Sequence, residues 1–517
     1  MSENRSNNKI IFISFVLLLL LCTGCIRTSD VDNDNKPKKD SLIWGVLAVE
    51  SINPLDVTNG NFWTIIPNIF NGLVEFDENF RIIPALALSW NNPDNLTWRF
   101  SLRQGVKFHN GDDFTAEDVR YTFEAAYHGF DLIISDITVL DNYTIEFKTY
   151  EPSPGLLSRL AHTGIIYCKS TTGQPDEPKL IGTGPYRLAD YALENYTTLE
   201  RFDEYWGETP EIKTVVFKAI ENDEERLNAL RFGSIDIAEY NVDEKFTQIA
   251  QEKNITVVKY PPLSNYVIGF DMRENKSYGF PDGKNPTADL RVRKAIYQAI
   301  DIVPLINGPF KGLAKPESQF ITPFIFGYNP QIERLPYDVN SSRQLLAEAG
   351  YDQGFDIVMD CITKGFDYNA ENCRLITEQL SKVGIHVIMN NLSIDEFDKK
   401  VFSERNTSMY VSGWGTISVD GGWIYDLFIR SVGDHLGIYN SGYYSNAEVD
   451  RLGAAASHEM NSEKRLQLLQ EGFRIALVDD VMVVPLFSQE LLILTAKNID
   501  LEPRADLRSV VKDIRIT

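Results

Sequence analysis

Basic residues and histidine are scarce in this chain. Its 517 residues include 50 Lys and Arg against 73 Asp and Glu, which gives a formal net charge of −23. A surface this acidic argues against nucleic acid or anionic lipid as the main partner, because both carry the same sign of charge. Only six histidines are present, and they are too scattered along the sequence to indicate a catalytic cluster.

Familiar catalytic motifs are also absent from the sequence. It contains no G-x-S-x-G elbow, no H-E-x-x-H helix and no P-loop. His458-Glu459 is not followed by a second histidine at the spacing that a zinc site needs. The sequence therefore predicts a protein that is not an enzyme and needs no cofactor. A secreted hydrolase is the alternative from a different functional class.

No fixed-period repeat organises the chain, and its length is too great for one compact core. Two or more lobes are expected. Short strand-like runs alternate with helical runs, as in Ile212–Ala219 before the helix Asp223–Phe232, and Phe355–Cys361 before the helix Ala370–Val383. Such alternation predicts the α/β class.

The apolar run near the N-terminus is short. Residues Ile10–Leu21 are apolar except for Ser14, and twelve helical residues rise only about 18 Å, less than the roughly 30 Å of a bilayer core. Arg5 and Lys9 precede this run. A basic segment followed by a short apolar segment is typical of a secretory signal, which we place at residues 1–24.

The segment after the apolar run resembles a lipobox. In Leu21–Cys25, Gly24 precedes the cysteine that would carry the lipid, Cys25. Residues 25–41 are polar and have no apolar period, as expected of a flexible tether. An uncleaved N-terminal anchor is the alternative. In either case we expect the folded part to lie outside the cytoplasm, anchored to the outer face of the membrane.

Five cysteines are present, and three of them, Cys168, Cys361 and Cys373, follow the predicted tether. An extracytoplasmic compartment permits disulfides, and Cys361 and Cys373 are close enough in sequence to pair. Pairing requires Cα atoms within about 7 Å, which the sequence does not reveal. The disulfide stays open at this point.

The run Trp98–Glu124 carries the most specific local pattern. Apolar and polar residues alternate over Trp98–Leu102, the period of a half-buried strand. Asn110-Gly111 supplies a turn, and Thr115 stands three residues before Asp118 in an arrangement close to a capping box. A strand, a turn and a capped helix are therefore expected in succession.

The same run resembles a signature of the extracytoplasmic solute-binding proteins of ABC importers, family 5, which take up oligopeptides, dipeptides and nickel chelates. Further stretches with the same resemblance follow in the family's order over the whole chain from about residue 42. They are Leu180–Leu188, Pro286–Asp301, Tyr337–Tyr351, Tyr444–Leu452 and Val484–Phe487.

The resemblance implies a two-lobed, periplasmic-binding-protein-like α/β fold of type II, from the large cluster with an extra subdomain in lobe I. The lobes would close on a ligand and present it to the permease subunits of the importer, and we expect a monomer. The implied bounds are lobe I at 42–268 with the extra subdomain at about 55–175, lobe II at 269–486, and a return to lobe I at 487–517.

The resemblance also places a ligand-binding segment at Tyr410–Asp426. Its pattern is similar to W-x-x-D-x-x-D-P, with Trp414 on the Trp and Asp420 on the second Asp. Ile417 then stands where peptide-binding relatives hold the ligand's α-ammonium with an aspartate. Isoleucine cannot pair with a buried ammonium. Either another carboxylate serves, such as Asp420 or Glu50, or the ligand is not a peptide with a free N-terminus.

Other ligand contacts are expected from the same resemblance. They are Asn53 beside Glu50 in the first loop of lobe I, His162 where lobe I approaches the cleft, and Gly415 and Thr416 next to Trp414.

A nickel or metal-chelate binder of the same family is the alternative to a peptide binder. Nickel-binding relatives also lack the aspartate and use a histidine from the following loop, where this chain has His435. Imidazole is a suitable nickel ligand, although an exposed loop histidine is the simpler interpretation. Gly164–Ile166 offers none of the arginines that hold the chelator in those relatives, so peptides are the first prediction.

Overall fold

The computed structural model describes a set of residues that begins after most of the predicted tether. The described residues are 39–49, 52, 64–126, 133–165, 167, 180–240, 245–275, 278, 284–364, 367–415 and 419–517. The predicted signal peptide and Cys25 lie outside this set. Residues 40–517 form one unit by their internal contacts. No helix within the described ranges is both long enough and apolar enough to cross a bilayer.

Nineteen strands are present in the described residues and are numbered in chain order. They are β1 Ser41–Val46, β2 Val74–Phe76, β3 Ile82–Pro84, β4 Ala87–Asp94, β5 Thr97–Leu102, β6 Ile134–Asp141, β7 Thr144–Thr149, β8 Tyr186–Ala192, β9 Tyr196–Arg201, β10 Thr214–Ala219, β11 Ile237–Tyr240, β12 Ile255–Phe270, β13 Ala314–Pro316, β14 Phe355–Ile362, β15 Ile385–Leu392, β16 Met409–Gly415, β17 Val483–Ala496, β18 Ile499–Asp500 and β19 Arg515–Ile516.

The α-helices of the same ranges are α1 Ile66–Ile69, α2 Ala116–Tyr121, α3 Leu156–Leu160, α4 Asp223–Arg231, α5 Phe246–Ile249, α6 Leu290–Ala299, α7 Ile302–Asn307, α8 Val339–Glu348, α9 Asp367–Ser381, α10 Ile394–Phe397, α11 Gly421–Ile424, α12 Ala447–His458 and α13 Ser462–Arg474. Four of these helices, α2, α10, α11 and α13, continue as π-helical turns over Thr122–Ala126, Asp398–Ser403, Tyr425–Ile429 and Ile475–Asp479. Short 3-10 turns lie at Pro286–Ala288 and Val511–Asp513.

Local sequence explains where several elements begin and end. The Asn222 side chain accepts the Glu225 N–H at 3.0 Å and so caps the start of α4. The Asp118 carboxylate accepts the Thr115 N–H at 2.9 Å, which holds the first turn of α2. Gly384 has a φ of +88° where the chain turns from α9 into β15, a conformation that favours glycine. The predicted α/β class is confirmed.

One large sheet runs through the molecule, in the order β15-β14-β16-β12-β17-β11-β1-β10-β9-β8, with β13 added to β17. We call the strands β1 and β8–β11, with the segments that pack on them, the first half, and the strands β14–β16, with the segments that pack on them, the second half. The two long strands β12 and β17 are antiparallel to each other and carry the chain between the halves. Their pairing shifts register between Tyr260 and Ser264 and again between Asn265 and Val267. The exact lobe bounds stay predictions.

A separate four-stranded antiparallel sheet, in the order β4-β5-β7-β6, forms what we call the small sheet. Its core includes Phe100 and Phe147, whose rings lie 5.5 Å apart on neighbouring strands. His109, in the predicted turn after β5, fixes this unit to the first half, because its Nε2 lies 3.0 Å from Gly184 O and its Nδ1 accepts the Gly182 N–H at 3.3 Å.

Cys361 and Cys373 form a disulfide between β14 and α9, with Cα atoms 6.7 Å apart. Both cysteines are buried in the core of the second half. The pairing that the sequence left open is therefore present. It ties the carboxyl end of a central strand to the helix that covers it.

Candidate functional site

Strand directions locate a cleft between the halves. In the first half, β1 is parallel to β10 and β11, and in the second half β14 is parallel to β15 and β16. Because β11 and β12 are both antiparallel to β17, the first set points toward the second half. Because β16 is antiparallel to β12, the second set points back toward the first half. Ligands of α/β sheets bind at the carboxyl ends of parallel strands, and here two sets of such ends face each other.

Several predicted ligand contacts follow these strand ends in sequence but lie outside the described residues. Glu50 and Asn53 come after β1, and Thr416 and Ile417 come after β16. Their roles stay predictions, including the consequence of an isoleucine at 417.

Trp414 and Gly415 are the last two residues of β16, at the carboxyl edge of the second half. The Trp414 ring is half-buried and packs against Phe428 and Tyr439, with ring centroids 4.5 and 4.7 Å away. Gly415 lies opposite Ser264 on β12, and a Cβ at 415 would come within 3.0 Å of the Ser264 Oγ. The strand end therefore presents an aromatic wall beside a closely packed crossing strand.

Asn265 on β12 is a candidate contact that sequence reasoning missed. It lies directly opposite Trp414 in the sheet and is only 3 % exposed. Neither polar atom of its amide has a hydrogen-bond partner among the described residues, and neither does the Trp414 Nε1. Buried polar atoms are usually hydrogen-bonded, so this amide at the strand ends is free to meet a polar group of a ligand or a water. An amide inside a largely apolar strand pattern is the sequence signal that could have found it.

Asp420 is held inside the second half by Arg465. Arg465 Nη1 donates to Asp420 Oδ2 at 2.9 Å, and Arg465 Nη2 donates to Oδ1 at 2.8 Å. Asp420 also caps α11 by accepting the Gly422 N–H at 2.8 Å. Both side chains of the ion pair are nearly buried. The contact of Asp420 with a ligand ammonium stays a prediction, and such an ammonium would share these oxygens with Arg465.

His162 lies beside the return segment of the chain. Arg508 Nη2 donates to Ala161 O at 2.7 Å and lies 3.2 Å from His162 Nδ1. Burial, assisted by the nearby Arg508 charge, holds the pKa of His162 well below its ordinary value, so the ring is neutral. Both side chains line a cavity of about 240 Å³ that also includes Phe76 and Glu75. Arg508 was not anticipated from the sequence.

His435 lies in an exposed loop, with a φ of +60°. Within the described ranges, no group of three or more His, Cys, Asp or Glu side chains is arranged to hold a metal ion. The role of His435 as a nickel ligand stays a prediction.

Comparisons with known proteins agree with this architecture. The family model described as "Bacterial extracellular solute-binding proteins, family 5 Middle" matches residues 81–435. The chain is 26% identical over 407 residues to the dipeptide-binding protein of Escherichia coli K12, covering 71% of this chain and 74% of that protein. It is 24% identical over 481 residues to the glutathione-binding protein GsiB of Salmonella typhi, covering 88% and 90%.

A similar solved structure is the ABC transporter substrate-binding protein CtaP of Listeria monocytogenes. Its TM-score is 0.80 at 19% identity, and the match covers 93% of this chain and 100% of that one. The predicted two-lobed fold of type II periplasmic binding proteins is thereby confirmed. With the family model spanning most of its length, the chain belongs to family 5 of the bacterial extracellular solute-binding proteins, which serve ABC importers.

Proposed function

We propose that this chain captures short peptides outside the cytoplasm and delivers them to an ABC import permease. The observation that carries the proposal is the pair of facing strand ends, with Trp414 and Asn265 at the crossing, in a chain of this family. The sequence relatives support peptides in particular, since they include a dipeptide-binding protein and glutathione-binding proteins. Glutathione is itself a tripeptide.

The chemistry of the crossing region fits a peptide ligand. An asparagine amide carries both a donor and an acceptor, and so matches the C=O and N–H of one peptide unit. Trp414 adds a further donor and a flat apolar surface. Because isoleucine at position 417 cannot pair with an ammonium, the residue that would bind the N-terminus of a peptide is not identified. The proposal therefore includes peptides that are bound mainly through other groups than their N-terminus.

Thermal shift of the full-length protein tests the ligand class. A ligand present at 100 times its Kd stabilises the folded state by about 2.7 kcal/mol. We expect glutathione or a dipeptide such as Ala-Phe to raise the Tm, and the free amino acids at equal concentration not to do so. A shift produced by nickel with histidine, and lost in His435→Ala, would support the metal-chelate alternative instead. No shift with either set would overturn both ligand proposals and leave the family intact.

We also propose that Cys25 carries a lipid and tethers the folded part to the outer face of the membrane. The sequence of Leu21–Cys25 and the polar segment after it support this. Metabolic labelling with an alkyne fatty acid should mark the wild-type chain and not the Cys25→Ala variant. Equal labelling of both chains would rule out Cys25 as the attachment site.

A further inference from the structure

The region of the small sheet also contacts the segments that follow β16. Glu151, which follows the small sheet, lies with its Oε2 2.6 Å from the Nε2 of His458 at the end of α12. A few residues on, the backbone at Gly155 lies against Asp420, where a Cβ would come within 2.9 Å of the Asp420 Oδ2. The segment 151–159 is therefore seated against the helical layer of the second half.

An apolar contact accompanies these polar ones. Val419, directly before Asp420, is 8 % exposed and packs into the core of the small sheet with Leu156 and Leu160. Val419 therefore follows β16 in the sequence but packs in the core of the small sheet. The contact is a built interface of charged and apolar groups.

One pair of opposite charges at this interface is not yet joined. Arg159 on α3 and Asp426 line the same cavity of about 160 Å³. No hydrogen bond or ion pair within the described ranges holds the Arg159 guanidinium. Asp426 accepts a hydrogen bond from the Ser457 hydroxyl at 3.0 Å, and its Oδ1 lies 3.5 Å from Arg430 Nη1. Asp420 forms its ion pair with Arg465.

Burial of Asp426 has an energetic consequence. Desolvation raises the pKa of this carboxyl, and the charges of Arg430 and Arg465 only partly offset the effect. A buried carboxylate gains from a further cation. Each side chain would stabilise the charged form of the other if the cavity closed.

We propose that Glu151–His458 and Arg159–Asp426 together form a lock between the small-sheet region and the segment after β16, beside Asp420. The first pair is already in contact, and the second forms when the halves move closer. The long strands β12 and β17 carry the chain between the halves, and a contact made only in the closed form shifts the balance toward that form by its own free energy. These four are positioning residues: they hold the closed form and so slow the escape of ligand without touching it.

A double-mutant cycle on Arg159 and Asp426 tests the lock. We expect Arg159→Met and Asp426→Asn each to increase the radius of gyration of the protein saturated with glutathione or Ala-Phe in X-ray scattering, because this pair forms only when the halves move closer. Each should also speed dissociation of glutathione or Ala-Phe by about fivefold. The double variant should be no worse than the more affected single variant, because the two changes break one interaction. Glu151→Gln should act in the same direction through His458.

The matched control is Arg374→Met, which removes an arginine paired only within its own helix, with Glu371 and Glu378. It should change neither the radius of gyration nor the dissociation rate. Additive effects of the two lock variants, or a wild-type radius and rate in Arg159→Met, would overturn the proposal. Arg159 lies at an exposed position of α3, so this variant remains decisive if Asp426→Asn folds poorly. Because the Glu151–His458 pair is in contact without ligand, Glu151→Gln should increase the radius of gyration of the ligand-free protein, and this part of the lock is tested independently of the proposed ligand class.

Discussion

Two buried asparagines show how differently one side chain is used in this molecule. Asn68 on α1 donates to Thr64 O and to Ser509 O, both at 2.8 Å, and its Oδ1 accepts the Val511 N–H at 2.9 Å. Asn265 on the crossing strand is equally hidden, yet no described residue bonds its amide. The first asparagine fastens the return segment of the chain to the first half. The second lies opposite Trp414 at the cleft with its hydrogen-bonding capacity unused.

The scaffold shows the partnered side of this comparison at His109 as well. His109, in the run that carries the family resemblance, has both ring nitrogens engaged by the Gly182–Gly184 turn. That run therefore builds the scaffold. Trp414 and Asn265 also have buried polar atoms without partners among the described residues, as Trp98 in the scaffold run does. Their place at the facing strand ends is what makes them candidates for contact with a polar ligand.

The largest expected effect is the loss of stability on removing the buried ion pair between Asp420 and Arg465. Asp420→Ala removes the partner of a nearly buried arginine, and an uncompensated buried charge costs about 3–5 kcal/mol. Chemical denaturation should show this loss of unfolding free energy. Asp479→Ala, which breaks the exposed pair with Arg474, is the control and should cost no more than about 1 kcal/mol. Equal effects would mean that the Asp420 pair is not structural.

The next largest effect is a dependence of folding stability on pH that arises from His109. Burial lowers the pKa of His109 from 6.5 to about 4. Between these values the unfolded chain binds a proton that the folded chain does not, so folding stability falls as pH decreases through this window. The accumulated loss near pH 4 is about 3 kcal/mol. Denaturation at a series of pH values should show this slope in the wild type and its loss in His109→Gln.

The control for that measurement is His386→Gln on the exposed side of β15. It should leave the pH profile as in the wild type. A wild-type slope that survives in His109→Gln would assign the acid sensitivity to other groups.

The scaffold could be predicted closely from the sequence, because short-range patterns determine it. The predicted helix Asp223–Phe232 is observed over Asp223–Arg231, and the predicted strand Phe355–Cys361 ends one residue later, at Ile362. Periodicity and capping residues within a few positions set these bounds. The disulfide stayed open because it depends on a Cα distance that only the packing of α9 on β14 defines.

The candidate site could be predicted only in part, since its geometry depends on distant pairings. Family resemblance pointed to Trp414, but its neighbour Asn265 is about 150 positions away and is brought there by the β12–β16 pairing. Likewise, Arg465 reaches Asp420 from another helix. Hydrophobic patterns carry no information on which polar side chains meet, so sequence reasoning could not anticipate either partner.

The third prediction removes the satisfied asparagine. Asn68→Leu keeps the volume nearly constant but leaves the Val511 N–H and two carbonyl groups without their partner. Unmade hydrogen bonds of buried groups cost about 1–3 kcal/mol, so we expect a loss of about 2 kcal/mol in unfolding free energy. Hydrogen exchange should locate the change in the 509–513 segment. A neutral result would mean that water replaces the lost contacts.

The smallest effect should have the opposite sign. Asn265→Leu removes two buried polar atoms that no described residue bonds, so the ligand-free protein should gain about 1 kcal/mol of stability. The same variant should lose most of the stabilisation that glutathione or Ala-Phe gives the wild type, since the amide would no longer meet a peptide unit of the ligand. A buried structural water at Asn265 predicts the reverse: a less stable free protein with ligand stabilisation unchanged. When the two variants are measured together, the sign of the change in unfolding free energy distinguishes an asparagine that stabilises the fold from one whose amide is available to a ligand.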